Sequence, residues 1–286
     1  MEKIAITTDS TAYIPEHLKE DLPIYTIPLH VVWNNESYRD GIDIKPKDFY
    51  PRLKTEDEIP KTSQITPEEF SNFYQNLIDK GFKKIIGVHL STKFTKTLDS
   101  AINAAKKFPD IRFELVDSMT GAMAMGFQVL AAAKGAVKGA TLDECKNLVL
   151  KARDCTNTYF IPGTLEFLHR GGRIGGAAAF FGSMLQIKPI LVTRNGYIDA
   201  FERVRTMKKA VNRVVEVIEK SIAEETPIRI AALYSDIPEL AEDILDRVVN
   251  KLGTDKVTDA FITGISPVLG THIGPGYVGI AYMAGM

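Results

Sequence analysis

Two glycine-rich segments carry the side chains with the clearest chemical potential in this sequence of 286 residues. The first, residues 168–176, places Arg170 and Arg173 around Gly171 and Gly172. Glycine permits positive φ, so successive N–H groups can face one concavity, and arginine offers a planar charged fork to a carboxylate or phosphate. We interpret the segment as an anion-binding loop, with a tight turn bearing two solvated arginines as the alternative.

The second segment, residues 270–276, places His272 in a glycine-rich context near the C-terminus. The composition predicts a loop from which an imidazole could reach a cleft and exchange protons or hydrogen bonds near neutral pH. A packed or solvent-facing histidine is the alternative interpretation.

Hydroxyl side chains follow the predicted strands at their carboxyl ends, where open parallel sheets bind ligands. They are Ser10, Thr11, Ser91, Thr92, Thr95, Thr97, Ser118 and Thr120, and a loop over residues 59–64 adds Thr62 and Ser63. Each hydroxyl can donate a hydrogen bond to a carboxylate. Because Ser and Thr are also favoured helix N-caps, capping is the competing role.

Motifs of catalysis and nucleotide binding are absent from the sequence. It contains no GxSxG elbow, no P-loop and no GxGxxG turn, and its spacing assembles no nucleophile, base and orienting group. Cys145 and Cys155 form no CxxC pair, which argues against a structural disulfide or a metal centre. We therefore predict a pocket that holds its ligand without converting it and that uses no cofactor or metal.

The bulk composition excludes several classes of protein. Hydrophobic residues make up 45% and charged residues 25%, with a formal net charge of -1, as in an ordinary globular protein. Such a balance provides no general field for nucleic acid or an anionic membrane. The first residues lack a signal-peptide pattern and no apolar run has membrane-spanning length, so we expect a cytoplasmic protein without membrane insertion.

The elements that must position these residues divide into two halves. Apolar runs alternate with amphipathic segments up to about residue 154, which predicts a parallel sheet covered by helices. Later, Arg194-Asn195-Gly196 separates two β-rich runs as a hairpin turn does. We predict an α/β fold, with a parallel α/β/α domain over residues 1–157 and a two-layer α/β domain with a mixed sheet over residues 158–286.

An ordered set of short motifs along the whole chain resembles the DegV family. The motifs are Asp9-Ser10-Thr11, Thr62-Ser63-Gln64, Asp117-Ser118, Arg170-Gly171-Gly172-Arg173-Ile174, Lys188-Pro189-Ile190-Leu191, Val204-Arg205-Thr206 and Gly270-Thr271-His272-Ile273-Gly274-Pro275-Gly276. Members of this family are bacterial fatty-acid-binding proteins that present the lipid to a separate fatty-acid kinase. The kinase phosphorylates the carboxyl group to an acyl-phosphate. The resemblance also implies a buried acyl tunnel between two α/β domains.

The resemblance implies specific carboxylate ligands. They are Thr62, Ser63, Thr92, Thr95 and His272. Thr95 stands at the position of a family serine that binds the carboxylate. Threonine keeps the hydroxyl group that this role requires.

The same resemblance also implies roles for four basic residues. Arg173 and Arg205 fall on positions implicated in docking the kinase. Lys93 and Lys96 stand where the family has glycine. If that loop requires positive φ, each lysine would strain it by roughly 1 kcal/mol or more, so we expect a different path of the loop or added positive charge near the head group.

Apolar residues near the junction of the two halves are candidates for the tunnel wall. The strongest are Phe167, Phe180, Phe181, Met184, Leu185 and Ile187, with Met123, Met125, Phe127 and Phe160 as further candidates. A long acyl chain buried there would gain about 0.8 kcal/mol per CH₂ group.

Three functional hypotheses remain open at this point. The first is a non-catalytic carrier of a long-chain fatty acid that works with a fatty-acid kinase. The second is a hydrolase or phosphoryl-transfer enzyme acting on an acyl substrate, which the anion-suited arginine segment favours. The third is an interaction protein whose partner binds regardless of lipid.

Overall fold

Strands and helices alternate through most of the chain. The computed structural model describes residues 3–222 and 224–286, of which residues 181–186 are described by their backbone only. The strands are β1 (Ile4–Asp9), β2 (Ile24–Ile27), β3 (His30–Trp33), β4 (Glu36–Arg39), β5 (Lys61–Ser63), β6 (Lys84–His89), β7 (Arg112–Asp117), β8 (Thr156–Ile161), β9 (Lys188–Arg194), β10 (Tyr197–Val204), β11 (Ile228–Tyr234), β12 (Val257–Gly264) and β13 (Val278–Ala284). The helices are α1 (Glu16–Lys19), α2 (Pro46–Thr55), α3 (Pro67–Asp79), α4 (Thr97–Ala105), α5 (Ala122–Val137), α6 (Leu142–Asp154), α7 (Glu166–Arg170), α8 (Met207–Ile222), α9 (Pro238–Leu252) and α10 (Pro267–Ile273), with 3₁₀ turns at Ser10–Ala12 and Gly175–Gln186.

The N-terminal half is built on a parallel sheet in the order β2-β1-β6-β7. Strand β1 lies inside it and is buried along its whole length, including its polar residues Thr7, Thr8 and Asp9, as expected for a parallel strand covered on both faces. Its register pairs Ile6 with Ile24 on one side and with Ile86 on the other. A small antiparallel sheet in the order β4-β3-β5 extends this half. The predicted parallel sheet is confirmed.

Capping boxes start two of the helices that cover this sheet. In α3, the Glu69 N–H donates to Thr66 Oγ1 at 3.2 Å, while the Thr66 N–H donates to Glu69 Oε2 at 2.8 Å. Thr141 and Glu144 form the same reciprocal pair at the start of α6. A threonine followed three positions later by a glutamate predicts such a box, and both helices begin as this spacing predicts, since each box satisfies two N–H groups that the helix itself leaves unpaired.

The C-terminal half is built on a mixed sheet in the order β10-β9-β8-β13-β11-β12. Strands β11 and β12 are parallel, and the other neighbours are antiparallel. Asn195 and Gly196 join β9 to β10 with φ of 50° and 82°, the left-handed conformation that a two-residue hairpin turn requires. The predicted mixed sheet and hairpin are confirmed.

The six-stranded sheet separates two hydrophobic cores. One face, including Tyr159, Val192 and Val278, packs on α8 and α9. The other face, including Phe160 and Leu191, joins the main core of the N-terminal half. Because side chains alternate along a strand, β8 and β9 contribute to both cores. Among the described residues, no helix has the length and apolar character needed to cross a membrane.

Candidate functional site

A cavity of about 620 Å³ lies where the two halves meet, a size typical of small-molecule sites. Its walls are formed by β5, the turns after β6 and β7, helix α10 and the face of the six-stranded sheet that carries Phe160. Its apolar lining consists of Leu29, Leu90, Phe94, Ala122, Phe160, Leu168, Ile198, Val268, Leu269, Ile273 and Tyr277. Across the described part of the chain, no group of three or more His, Cys, Asp or Glu side chains is placed to hold a metal ion.

The five predicted carboxylate ligands all line this cavity. They are Thr62, Ser63, Thr92, Thr95 and His272. Two of them lie in elements that differ from the prediction. Thr62 belongs to strand β5 instead of a loop, and His272 lies in helix α10 instead of a glycine-rich loop. Pro267 at the first position starts α10, and Gly274, with φ of 78°, ends it.

His272 and Thr62 form a direct polar pair. The His272 Nε2 lies 2.8 Å from Thr62 Oγ1, although the two residues are 210 positions apart. The other ring nitrogen, Nδ1, is buried and has no hydrogen-bond partner among the described residues. Burial, and then the positive charge of Arg173, lower the pKa of His272 to about 4. The ring is therefore neutral at pH 7.

The two glycine-rich segments meet at this ring. The α-carbon of Gly171 lies so close to His272 that a Cβ there would be 2.3 Å from Nδ1. Gly171 has φ of −73°, so the requirement for glycine at this position comes from space and not from backbone conformation. The next residue, Gly172, does adopt the left-handed region with φ of 68°.

The two arginines of the first segment differ in surroundings. Arg170 is half exposed and pairs with Glu166 at 2.5 Å. Arg173 lines the cavity, where its Nε and Nη2 both donate to the Phe94 carbonyl at 3.1 Å, and Nη1 donates to the Gly171 carbonyl. Arg173 thus ties the segment to the turn that follows β6. Arg205, the second predicted docking residue, is exposed just after β10.

The hydroxyl groups of the turn that follows β6 have different partners. Thr92 Oγ1 donates to the carboxylate of Asp117, so its proton is already engaged. Thr95 Oγ1 lies 2.9 Å from Thr97 Oγ1 and accepts the Thr97 N–H at 3.3 Å. Ser63, on the neighbouring strand β5, is exposed. The sequence contained no local signal for the contact between Thr92 and Asp117, because 25 positions separate them.

Lys93 and Lys96, which the resemblance places at glycine positions, lie in ordinary backbone conformations. Neither Lys93 nor Lys96 has positive φ, and Lys96 has φ of −93°. Strain is expected only if the turn requires positive φ at these positions, and it does not, so the backbone accepts both lysines. Both lysines line the cavity. The Lys93 ammonium lies 5.3 Å from the centre of the exposed Tyr197 ring, and Lys96 pairs with Asp99 at 3.4 Å.

The strongest tunnel candidates with described side chains lie outside the cavity lining. Phe167 packs against Gly274, where a Cβ would lie 2.3 Å from the ring. The Phe180 ring is covered by the Arg203 guanidinium at 4.7 Å, and Ile187 packs on the main core. The structure does not bring these three residues to the cavity.

The other tunnel candidates divide in the same way. Phe160 lines the cavity, while Met123, Met125 and Phe127 are fully buried in helix α5 as part of the main core. Phe181, Met184 and Leu185 lie outside the residues whose side chains the structure describes.

The buried carboxylate of Asp40, which the motifs did not reveal, connects the two halves at the start of α10. Asp40 accepts hydrogen bonds from Ser10 Oγ at 2.7 Å, Ser266 Oγ at 2.6 Å and the Val268 N–H at 3.1 Å. Tyr13 extends the network through a 2.9 Å contact with Ser266. Burial raises the pKa of Asp40 to about 6, although the three hydrogen bonds oppose the shift. Asp40 therefore fixes the start of the helix that carries His272.

A family model with the description "Uncharacterised protein, DegV family" matches residues 3–285. Protein DegV of Bacillus subtilis is 35% identical over 282 residues, which cover 98% of both chains. The chain belongs to the DegV family. The resemblance read from the motifs is confirmed.

Two solved DegV structures share the whole architecture. DegV of Bacillus subtilis, described as a fatty acid binding protein, superposes with a TM-score of 0.90 at 34% identity, covering 99% of this chain and 100% of the other. A DegV family protein from Thermus thermophilus, described by its fatty acid binding, gives a TM-score of 0.89 at 32% identity and covers 99% of both chains. The α/β fold with a parallel N-terminal and a mixed C-terminal sheet is that of the DegV family.

In this DegV chain, removing the charge of Arg173 should raise the pKa of His272 from about 4 toward its ordinary value of 6.5. A nearby cation disfavours the imidazolium form, whereas burial continues to lower the pKa after Arg173→Gln. An NMR titration of the ring protons, assigned with His272→Asn, measures the shift. Arg170→Gln is the control, since Arg170 pairs with Glu166 outside the cavity lining. An unchanged pKa in Arg173→Gln would contradict this electrostatic role.

Proposed function

We propose that this protein binds a long-chain fatty acid in the cavity, with the carboxylate beside Thr62, Thr95 and His272. The observation that carries the proposal is that one cavity is lined both by hydroxyl and imidazole groups and by a larger set of apolar side chains. A fatty acid combines a polar head group with an apolar chain in the same way. The descriptions of the Bacillus subtilis and Thermus thermophilus relatives as fatty acid binding proteins support it.

The pair of His272 and Thr62 can supply one donor to the carboxylate. With the proton on Nε2, His272 donates to Thr62 Oγ1, and the Thr62 hydroxyl proton is then free for the ligand. This tautomer leaves the partnerless Nδ1 as an acceptor, and unpaired acceptors are tolerated in protein interiors better than unpaired donors. The neutral ring thus orients the hydroxyl that meets the carboxylate.

Thr95 can supply a second donor by the same logic. Its oxygen accepts the Thr97 N–H and lies within hydrogen-bond distance of the Thr97 hydroxyl. If Thr97 donates both hydrogens, the proton of Thr95 remains available for the ligand. Thr92 instead donates to Asp117, so we assign it to the stability of the turn. Thr62 and Thr95 are therefore better placed to donate to the carboxylate than Thr92 and the exposed Ser63.

The apolar wall would provide most of the affinity. Burial of a methylene group is worth about 0.8 kcal/mol, so a long chain gains far more than any single hydrogen bond. The carboxylate must still be hydrogen-bonded, because leaving it unpaired in the cavity would be costly. The positions of Thr62, Thr95 and His272 then determine which end of the fatty acid lies beside them.

We further propose that the protein is a carrier that presents the bound acid to a fatty-acid kinase. Of the two arginines expected at the docking surface, Arg205 tests this most cleanly because it is exposed and lies outside the cavity lining. Reversing the charge at a docking residue slows association and weakens the complex, so Arg205→Glu should lower kinase-dependent acyl-phosphate formation by roughly tenfold and leave lipid affinity unchanged. Arg173→Glu should impair both, since Arg173 also holds the Phe94 carbonyl. Full acyl-phosphate formation with Arg205→Glu would exclude this docking role.

The contact between Thr62 and His272 also favours a second function, that of an acyl hydrolase. A hydroxyl 2.8 Å from an imidazole has the spacing of a nucleophile and its base. A hydrolase also needs a group that orients the base, and Nδ1 has no partner among the described residues. The geometry therefore supports a ligand-holding role better than hydrolysis.

Lipid extraction from the purified protein tests the binding proposal directly. We expect mass spectrometry to recover a long-chain fatty acid in about equimolar amount, and delipidated protein to take up added palmitate or oleate. Steady hydrolysis of acyl esters by the protein alone would favour the hydrolase. Absence of any fatty acid, with no uptake of either acid, would refute the carrier.

A further inference from the structure

A second, polar cavity shares a wall with the proposed lipid site. It has a volume of about 370 Å³, and its lining includes Gln128, Arg153 and Asn157. Thr158 of β8 and Thr193 of β9 line both cavities. The wall between an apolar chain site and a polar cavity is therefore made of two threonines.

The sheet places these two threonines side by side. Strands β8 and β9 run antiparallel, with Tyr159 opposite Val192 and Phe160 opposite Leu191. The same register sets Thr158 beside Thr193, on the face that carries Phe160. Cross-strand neighbours on one face are close enough for their side chains to interact with one ligand group.

Two buried polar atoms have no partner among the described residues, one at this wall and one in the second cavity. Thr158 is 5% exposed, and its hydroxyl makes no hydrogen bond. Gln128 is fully buried; its Nε2 donates to the Ser118 carbonyl at 3.1 Å, but its Oε1 has no donor. Buried polar atoms in native proteins are almost always satisfied, so the Thr158 hydroxyl, whose residue also lines the lipid cavity, points to a ligand group.

The chemistry of the Thr158 hydroxyl selects that group. A threonine hydroxyl can either donate or accept a hydrogen bond, and a ligand hydroxyl can do the same. The two can therefore pair in either direction, whereas an unsubstituted alkyl chain offers the Thr158 hydroxyl no partner.

We propose that the cavity prefers fatty acids that carry a hydroxyl group along the chain, held by Thr158 at the wall shared with the Gln128 cavity. This inference rests on the proposed fatty-acid function and specifies its ligand class. The carboxylate occupies the end with Thr62 and His272, and the hydroxyl lies part-way along the chain. Only positional isomers whose hydroxyl reaches Thr158 gain from it.

Calorimetry with stearic acid and a series of hydroxystearic acids tests this preference. For the wild-type protein we expect one or two positional isomers to bind roughly tenfold more tightly than stearic acid. Thr158→Val, which keeps the shape and removes the hydroxyl, should abolish the preference without weakening stearic acid. Thr158→Ser should retain it, and this variant keeps the test valid if valine disturbs β8.

Thr156→Val provides the matched control. Thr156 lines only the second cavity, and its hydroxyl already donates to the Arg153 carbonyl at 3.1 Å. It should leave the preference intact. Equal binding of stearic acid and every isomer, or a preference that survives Thr158→Val, would overturn the inference. Failure of all these acids to bind would instead refute the fatty-acid site itself.

Discussion

His272→Ala should weaken fatty-acid binding about 10- to 100-fold, and Thr62→Val should do nearly the same. A hydrogen bond to a charged group contributes about 1.5–3 kcal/mol, which corresponds to this range. The two side chains are joined at 2.8 Å, and in the proposed complex the ring would orient the hydroxyl toward the carboxylate. Removing either one therefore removes the same donor.

A double-mutant cycle distinguishes this arrangement from two independent contacts. The variant with both substitutions should bind little worse than either single variant, since the residues act as a unit. Titration with palmitate or oleate gives the affinities, and Ser63→Ala, at an exposed neighbour of Thr62, is the control. Additive losses of affinity would show that His272 and Thr62 contact the carboxylate separately. Wild-type affinity in both single variants would show that neither residue binds the carboxylate.

The layout of the fold was predictable because local patterns specify it. Apolar periodicity predicts a strand over residues 228–234 and a helix over residues 238–252, and these are the bounds of β11 and α9. The hairpin turn at Asn195 and Gly196 has the predicted left-handed backbone. In each case the signal lies within a few neighbouring residues. Tertiary packing then confirmed what propensity and pattern already indicated.

Elements without strong local patterns were missed. The β-rich composition of residues 22–32 predicts one extended run, but β2 and β3 are separate strands in different sheets. Helix α2 escaped prediction, and α10 looked like a loop because it contains Gly270 and is followed by Gly274 and Gly276. Gly270 serves packing instead, since a Cβ there would lie 2.7 Å from the Phe49 ring.

The residue types of the candidate site were predictable, but their individual partners were not. The five residues expected around a carboxylate share one cavity, yet the proton of Thr92 is engaged by Asp117 and Arg173 belongs to the cavity wall. These contacts join distant parts of the chain, and no spacing rule encodes them. Asp40 is the clearest case, because its partners Ser10 and Ser266 are 30 and 226 positions away.

Asp40→Ala should destabilise the protein by about 2–4 kcal/mol, the largest stability effect that we expect from a single polar substitution here. It leaves the Ser10 hydroxyl, the Ser266 hydroxyl and the Val268 N–H without their buried acceptor. Asp40→Asn keeps an acceptor and a similar shape, so it should lose much less at pH 7. Because Asp40 fixes the start of α10, the alanine variant should also weaken the lipid affinity that depends on His272.

The pH dependence of unfolding separates the charge of Asp40 from its hydrogen bonds. Its pKa is raised to about 6 from 3.8, so the native state holds this proton more tightly than the unfolded chain. The corresponding stabilisation is complete below pH 3.8 and is lost as pH rises through 6. The difference in unfolding free energy between wild type and Asp40→Asn should therefore shift in favour of the variant between pH 4 and 6. Denaturant unfolding measures it, with the exposed Asp43→Asn as the control; a constant difference would mean that Asp40 keeps an ordinary pKa and that its burial carries no charge penalty.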